Sequence, residues 1–218
     1  MLGVVDMAAI TKEEFRAALA ARHGEELQRK FDAASVAICG LGGLGSNVAV
    51  SLVRAGVGRL CIIDFDTVDT SNLNRQQYFP DQLGRPKAEA LRENLLRIAP
   101  YCQIEAHTLR LTDENIPELL APYPIICEAF DRADQKAMLV NRVLETMPGK
   151  YLVAASGMAG VSSANEIRTR RVSKRFWLCG DGHSDVAEGL PLISARVAAC
   201  AAHEAHMILR IIAGDLDA

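Results

Sequence analysis

The stretch Val36-Ala37-Ile38-Cys39-Gly40-Leu41-Gly42-Gly43-Leu44-Gly45 decides the fold. Four apolar residues without alternation suit a strand buried on both faces, and the glycines that end it leave no side chain in the way of a tight turn. Val48 to Val53 then continues as an apolar helix, so the unit is strand, glycine turn and helix. Gly40, Gly42 and Gly45 satisfy G-x-G-x-x-G, and helix N–H groups beginning near Gly43 face an anion. Such a turn can serve a dinucleotide, a triphosphate or close packing alone. In the dinucleotide case Asp64, nineteen positions after Gly45, would hold the ribose of a dehydrogenase cofactor.

Outward from this unit the chain alternates. Lys12 to Phe31 reads as two short helices broken at His23-Gly24, ahead of the core. Gly58 separates the glycine-loop helix from a second buried strand, Leu60 to Ile63, which stops at Asp64-Phe65-Asp66. Pro86 opens a helix carrying Ala90, Leu91, Leu95 and Ile98 on one side. A strand is expected at 103–106, a helix at 113–120, a strand at 125–127, a helix at 136–147 and a strand at 151–155. The basic, β-prone segment 167–177 is expected to pair at a sheet edge, and 193–212 to form a long alanine-rich helix. Strands alternating with helices predict a doubly wound parallel sheet, with ligands outside the carboxyl ends of the strands.

The residues after the second strand point away from hydride transfer. The loop Asp64-Phe65-Asp66-Thr67-Val68-Asp69-Thr70-Ser71-Asn72-Leu73-Asn74-Arg75-Gln76 gathers carboxylates, an amide and a guanidinium, and Gly84-Arg85-Pro86-Lys87 adds an ammonium at a helix start. A nucleoside triphosphate uses this set: Arg forks onto phosphate oxygens, Lys supplies a point charge, and a carboxylate holds Mg²⁺ through water. Arg75 or Lys87 alone would read as a solvated loop charge. With the glycine loop they read as a phosphate grip.

Composition narrows the field further. The 218 residues, half of them hydrophobic, suit one α/β domain over 11–218 behind a flexible segment 1–10. A net charge of −3, from 24 basic and 27 acidic residues spread along the chain, predicts no polyanion-binding face and makes nucleic acid an unexpected partner. No apolar run approaches the ~20 residues of a membrane span, and no signal peptide opens the chain, so a cytoplasmic protein is expected. The six cysteines form no C-x-x-C pair, so no zinc is expected.

At these motifs the sequence resembles the ThiF/MoeB/HesA branch of the ubiquitin-activating-enzyme superfamily. The family pattern G-x-G-G-L-G-S, D-x-D-x-V-x-x-S-N-L-x-R-Q and G-x-P-K stands here as Gly40 to Ser46, Asp64 to Gln76 and Gly84 to Lys87. The likeness continues through Glu128-Ala129-Phe130-Asp131 and Ala155-Ser156-Gly157-Met158-Ala159-Gly160, covering about 11–213. It is strongest to the short ThiF-like members. The resemblance implies a Rossmann-like, doubly wound, mainly parallel α/β sheet with helices on both faces and an N-terminal helical extension.

It also implies an adenylyltransferase. The C-terminal glycine carboxylate of a small ubiquitin-like sulfur carrier similar to ThiS would attack the α-phosphate of ATP, giving an acyl-adenylate and pyrophosphate in thiamine thiazole or related sulfur-transfer biosynthesis. Gly40, Gly42, Gly43, Leu44 and Gly45 would line the nucleotide and Asp64 would bind its ribose with Asp66 beside it. Asn72, Arg75 and Lys87 would hold phosphates with Gln76 in support, and Asp131 would bring Mg²⁺. Relatives insert an arginine from a partner subunit, so a homodimer is implied, with Arg16 or Arg22 the donor. Some relatives use a cysteine before the last helix. Ser184 to Gly189 offers none here, and the nearest, Cys179, reads as a buried thiol. The alternatives are activation of another substrate, as in the related tRNA threonylcarbamoyladenosine dehydratases, an NAD-dependent oxidoreductase, and a non-catalytic scaffold.

Overall fold

The computed structural model describes residues 10–217; the expected flexible segment 1–10 lies, but for Ile10, outside them. Thr11 caps the first helix, α1 (Lys12–His23). Its hydroxyl accepts the Glu14 N–H at 3.2 Å while the Glu14 carboxylate accepts the Thr11 N–H at 2.8 Å, satisfying two donors that a helix start leaves free. Gly24 breaks the chain direction before α2 (Glu25–Ala33), as the sequence predicts.

From there strands and helices alternate: β1 (Ser35–Cys39), α3 (Gly43–Ala55), β2 (Arg59–Ile63), α4 (Lys87–Ile98), β3 (Gln103–His107), α5 (Ile116–Leu120), β4 (Ile125–Glu128), α6 (Ala133–Thr146) and β5 (Tyr151–Ala155). A hairpin of β6 (Arg168–Ser173) and β7 (Phe176–Gly180) precedes the last helix, α7 (Ser194–Ala213). The seven strands run in the order β3-β2-β1-β4-β5-β7-β6, and every pairing is parallel except β6 with β7. Chain order reverses between β1 and β4, and it is at such a switch point that doubly wound sheets open a crevice.

Burial explains why the strands do not alternate in sequence. Val36, Ile38, Leu60, Ile62, Val153 and Trp177 pack on one face beneath α3, α4 and α7. Ala37, Cys39, Cys61, Ile63, Leu152 and Ala154 pack on the other beneath α5 and α6. With both faces covered, the buried positions of the central strands are apolar, Glu128 at the end of β4 excepted. Leu52 of α3 is fully buried in this packing, and its truncation to Ala costs about 2–5 kcal/mol.

Two segments depart from expectation. The helix expected from Asp113 begins only at Ile116, because the Asn115 side chain accepts the Thr112 N–H at 2.8 Å and holds 112–115 as a turn. The segment 167–177 does pair at the sheet edge, but as a hairpin. It folds back at Lys174-Arg175, so that β6 alone is the edge while Trp177, fully buried, lies inside the sheet on β7.

Candidate functional site

A cavity of about 790 Å³ opens at the carboxyl ends of β1, β2, β4 and β5. Its floor is the glycine turn. Gly40 ends β1 at φ +93°, a left-handed conformation that a side chain strains to adopt, and an added Cβ would also meet the Ala129 carbonyl oxygen at 2.7 Å. The β4 end therefore runs directly against the turn, with the Ala129 N–H donating to the Cys39 carbonyl at 2.8 Å. Gly42 is the N-cap of α3 and makes no side-chain cap, so the first N–H groups of that 13-residue helix are left to face the cavity. Gly40, Gly42, Gly43 and Leu44 line the cavity. Gly45 does not: a Cβ there would collide with the Gly40 carbonyl oxygen, so this glycine allows helix and turn to close on one another rather than touching a ligand.

Asp64 is buried, and its carboxylate staples the turn to the end of β2. One oxygen accepts the Leu41 N–H at 2.7 Å and the other the Asp66 N–H at 2.9 Å. Each oxygen keeps a further lone pair, and the residue lines the cavity. Lys87, the first residue of α4, is buried as well, and its ammonium lies 3.4 Å from the Asp66 carboxylate. The isolated bridge between Thr67 and Pro86 holds those two segments side by side.

The polar loop is anchored on α3 by the residues just past the glycines. Asn47 donates to the Arg75 carbonyl at 3.0 Å, and the Ser46 hydroxyl accepts the Gln77 N–H at 3.2 Å. Arg75 then lays its stem over Gly43 and points its guanidinium to the Ser71 carbonyl at 3.0 Å and the Asn74 side chain at 2.8 Å. Asn72 caps its own short turn by accepting the Asp69 N–H at 3.0 Å, and its amide lines the cavity. Gln76 is buried with its side-chain oxygen unpartnered, beside Gly42.

Asp131 is exposed at the cavity, with no cation within 4 Å among the described residues. The turn that carries it is fixed by a pair that motif reading passes over. Lys136 of α6 donates to both oxygens of the buried Glu128, at 3.1 and 2.9 Å, and to the Ala155 carbonyl at 3.1 Å, while Glu128 accepts the Phe130 N–H at 2.7 Å. A glutamate at the end of an apolar strand, with a lysine eight residues on, is the sequence signal for it.

Sequence reading also misses the apolar end of the cavity. Phe65, Leu109, Leu111 and Phe130 line it, and the guanidinium of Arg110 stacks 4.0 Å above the Phe65 ring. The remaining wall comes from Ser156, Gly157, Met158 and Ala159 after β5 and from Ser184 to Ala187 ahead of α7. Asp181 ties the two loops together, its N–H donating to the Gly157 carbonyl at 3.0 Å. Its carboxylate accepts the Ser184 hydroxyl at 2.7 Å and the Arg196 guanidinium at 2.5 Å. Burial alone would raise its pKa; the N–H groups of His183 and Ser184 and these two side chains outweigh burial and hold it well below the ordinary carboxylate range.

The other candidates lie elsewhere. Cys179 is fully buried in β7, and burial, with Glu204 nearby, pushes its thiol up to about 12, far from a ready nucleophile. Arg16 is held by Glu25 and Asp32 of its own chain. Arg22, in the last turn of α1, is exposed and has no carboxylate within 4 Å among the described residues.

The model of the ThiF family matches residues 15–210, nearly the whole chain. The chain belongs to the ThiF family. Among this ThiF-family chain's relatives, a sulfur carrier protein adenylyltransferase of Thermus thermophilus is 40% identical over 148 residues, 66% of this chain and 54% of that protein. A molybdopterin-synthase adenylyltransferase of Salmonella typhimurium is 38% identical over 115 residues, covering 52% and 46%. The aligned part thus spans about half the length of these curated relatives. In fold, the ThiF chain is similar to the crystal structure of E. coli tRNA N6-threonylcarbamoyladenosine dehydratase in complex with ATP. The TM-score is 0.84 at 21% identity, over 94% of this chain and 97% of that one. No helix among the described residues is long and apolar enough to cross a membrane.

Proposed function

We propose that this ThiF-family chain is an ATP-dependent adenylyltransferase that activates the C-terminal glycine carboxylate of a ubiquitin-like sulfur carrier ending in Gly-Gly. The observation that carries the reading is the convergence, at one cavity, of the uncapped start of α3 with Arg75, Lys87 and Asp131. An uncapped helix start and two cations suit a chain of phosphates. The apolar end at Phe65, Leu109 and Leu111 suits a base, with the free lone pairs of Asp64 between them for ribose hydroxyls.

In the reaction a carboxylate oxygen of the carrier forms a bond to the α-phosphorus while the bond from that phosphorus to the bridging oxygen breaks, and pyrophosphate leaves with its electron pair. No general base is needed, since the carboxylate is already ionised. The obstacle is bringing one anion onto another, and the residues answer it by neutralisation and placement. Arg75 and Lys87 bind phosphate oxygens, with the side-chain amide N–H groups of Asn72 and Gln76 as further donors on the polar side. Lys87 is committed only loosely, at 3.4 Å from Asp66, and can turn to a phosphate without leaving a well-formed bond behind. The exposed carboxylate of Asp131 would hold Mg²⁺, which would supply further neutralisation of the triphosphate. The enzyme works in the cytoplasm as a homodimer in which Arg22, the less committed of the two candidate arginines, reaches the partner's site. The activated carrier serves thiazole formation for thiamine or a related sulfur transfer.

The reading is tested by exchange of labelled pyrophosphate into ATP. Exchange is expected only when a ubiquitin-like carrier ending in Gly-Gly, encoded by the same genome, is present; its absence with every such carrier contradicts the reading. A second reading has one observation in its favour: the chain matches nearly the full length of the tRNA-modifying dehydratase but half of the carrier-activating relatives. Tight, salt-sensitive binding of tRNA on filters would favour it.

A further inference from the structure

Asn74 stands outside the cavity and is bonded to two residues that line it. Its side-chain oxygen accepts Nη1 of Arg75 at 2.8 Å, and its amide nitrogen donates to the Leu192 carbonyl at 3.1 Å, 118 positions along the chain. Arg75 and Leu192 both line the cavity. An asparagine in an exposed loop commonly serves to cap a turn. Here that work is done by others: Asp69 accepts the Ser71 N–H at 2.8 Å and Asn72 accepts the Asp69 N–H at 3.0 Å. The pattern S-N-L-x-R-Q leaves position 74 open, so the motif assigns it no part.

The rest of Arg75 is already fixed without Asn74. Asn47 holds its carbonyl, and its stem crosses the start of α3, where a Cβ on Gly43 would meet Cγ at 3.4 Å and Cδ at 3.5 Å. Only the head remains to be set. Both bonds of the head come from one nitrogen, Nη1, to the Ser71 carbonyl at 3.0 Å and to Asn74. Nε and Nη2 make no hydrogen bond among the described residues. A guanidinium is a rigid plane, so holding Nη1 on two acceptors presents the opposite edge, the fork that meets two oxygens of an anion.

Asn74 is in turn held from across the cavity. Leu192 lies just before α7, and the neighbouring Pro191 carbonyl accepts the Gly160 N–H at 2.8 Å, which joins this segment to the loop after β5. Among the hydrogen bonds of the described residues, Asn74 to Leu192 is the one that links the polar loop 64–76 to the opposite wall. The two bonds of the amide also support each other, since a cation at its oxygen makes its N–H a stronger donor.

We propose that Asn74 is a positioning residue of this site: it sets the plane of the Arg75 guanidinium so that Nε and Nη2 meet the phosphates, with Leu192 on the far wall as its fixed point. The proposal rests on the adenylation reading for the anion that Arg75 meets, and adds to it a residue that touches no substrate.

The experiment is a double-mutant cycle on the full chain, with wild type, Asn74→Ala, Arg75→Ala and the double variant each checked for an unchanged melting temperature. Calorimetric titration with Mg-ATP alone gives the Kd, and pyrophosphate exchange with a Gly-Gly-ended carrier from the same genome gives kcat and KM. Asn74→Ala is expected to weaken ATP binding about fivefold when Arg75 is present and by no more than about twofold in the Arg75→Ala background. The exchange rate should follow the same pattern. An asparagine that merely supports the loop would cost the same in both backgrounds, and that result overturns the proposal. Unchanged ATP binding in Asn74→Ala overturns it as well. A wild-type chain that binds ATP but exchanges with no acceptor defeats the adenylation reading, and the binding cycle then still decides the part of Asn74.

Discussion

Lys87 and Arg110 hold different ends of one cavity, and their substitutions should separate in kinetics. Lys87 is buried beside Asp66 at the polar end, where the proposed reaction would gather negative charge on phosphorus. Lys87→Ala is expected to lower the rate of adenylate formation by about 10²–10³-fold, the scale of a lost charge-stabilising donor, with the melting temperature little changed. Arg110 stacks on Phe65 at the apolar end and makes no side-chain ion pair among the described residues. On the proposed reading, a guanidinium plate there would add to base binding but not to bond making. Arg110→Ala should raise KM for ATP about tenfold and leave kcat nearly intact, whereas a fall in kcat at unchanged KM would move Arg110 to the phosphates. The Gly-x-Gly pattern, Asp64, Asn72, Arg75 and Lys87 are all legible in the sequence because each sits in a fixed register with a strand end. Phe65, Arg110 and Lys136 are not, because stacking and long-range pairing depend on where β3 and α6 come to rest. Gly45 is legible as a glycine, but its collision partner, the Gly40 carbonyl, appears only when the turn is built.

The last helix shows how far periodicity reaches. The alanine-rich run from 193 to 212 predicts α7 almost to the residue, and the helix packs along α3 across one face of the sheet. Composition does not reveal that Glu204, on its buried side, has no exposed surface and leaves one carboxylate oxygen without a partner. Burial raises its pKa well above the ordinary value, with Lys136 opposing and Glu128 reinforcing the shift. Because the folded pKa is raised, the native state keeps a proton on Glu204 that the unfolded chain has lost above its ordinary pKa near 4.5. Stability from this group is therefore whole below pH 4.5 and declines as pH rises toward the folded pKa. Glu204→Gln, which cannot ionise, should raise the melting temperature at pH 8 relative to wild type and show a smaller gain near pH 5. An equal gain at both values, or a loss at pH 8, would contradict this account. The edge of the sheet is less legible. The basic segment 167–177 reads as edge-pairing without a visible break, and only the turn at Lys174-Arg175 separates the exposed edge β6 from the buried β7.

The molecule as a whole is a doubly wound sheet with one reversal of strand order, and that reversal sets the cavity between β1 and β4. The chain's alternation of elements makes this architecture readable, since strands covered on both faces are apolar at their buried positions, Glu128 excepted, and helices must cross between them. Sequence does not show how the two walls of the cavity divide the work. The β1–β3 side gathers the residues proposed for phosphate and base, while the loops after β5 and β7, where Asp181 pairs with Arg196, form the opposite wall. On the proposed reading, this division would let a nucleotide and a carboxylate meet from opposite sides of the cavity. It is tested most directly by incubating the chain with a Gly-Gly-ended carrier and ATP labelled either at the α- or at the γ-phosphate. The account predicts that the α-label becomes bound to the carrier through an alkali-labile mixed anhydride while the γ-label leaves entirely in pyrophosphate. Transfer of the γ-label to the carrier, or release of labelled inorganic phosphate in place of pyrophosphate, would contradict it.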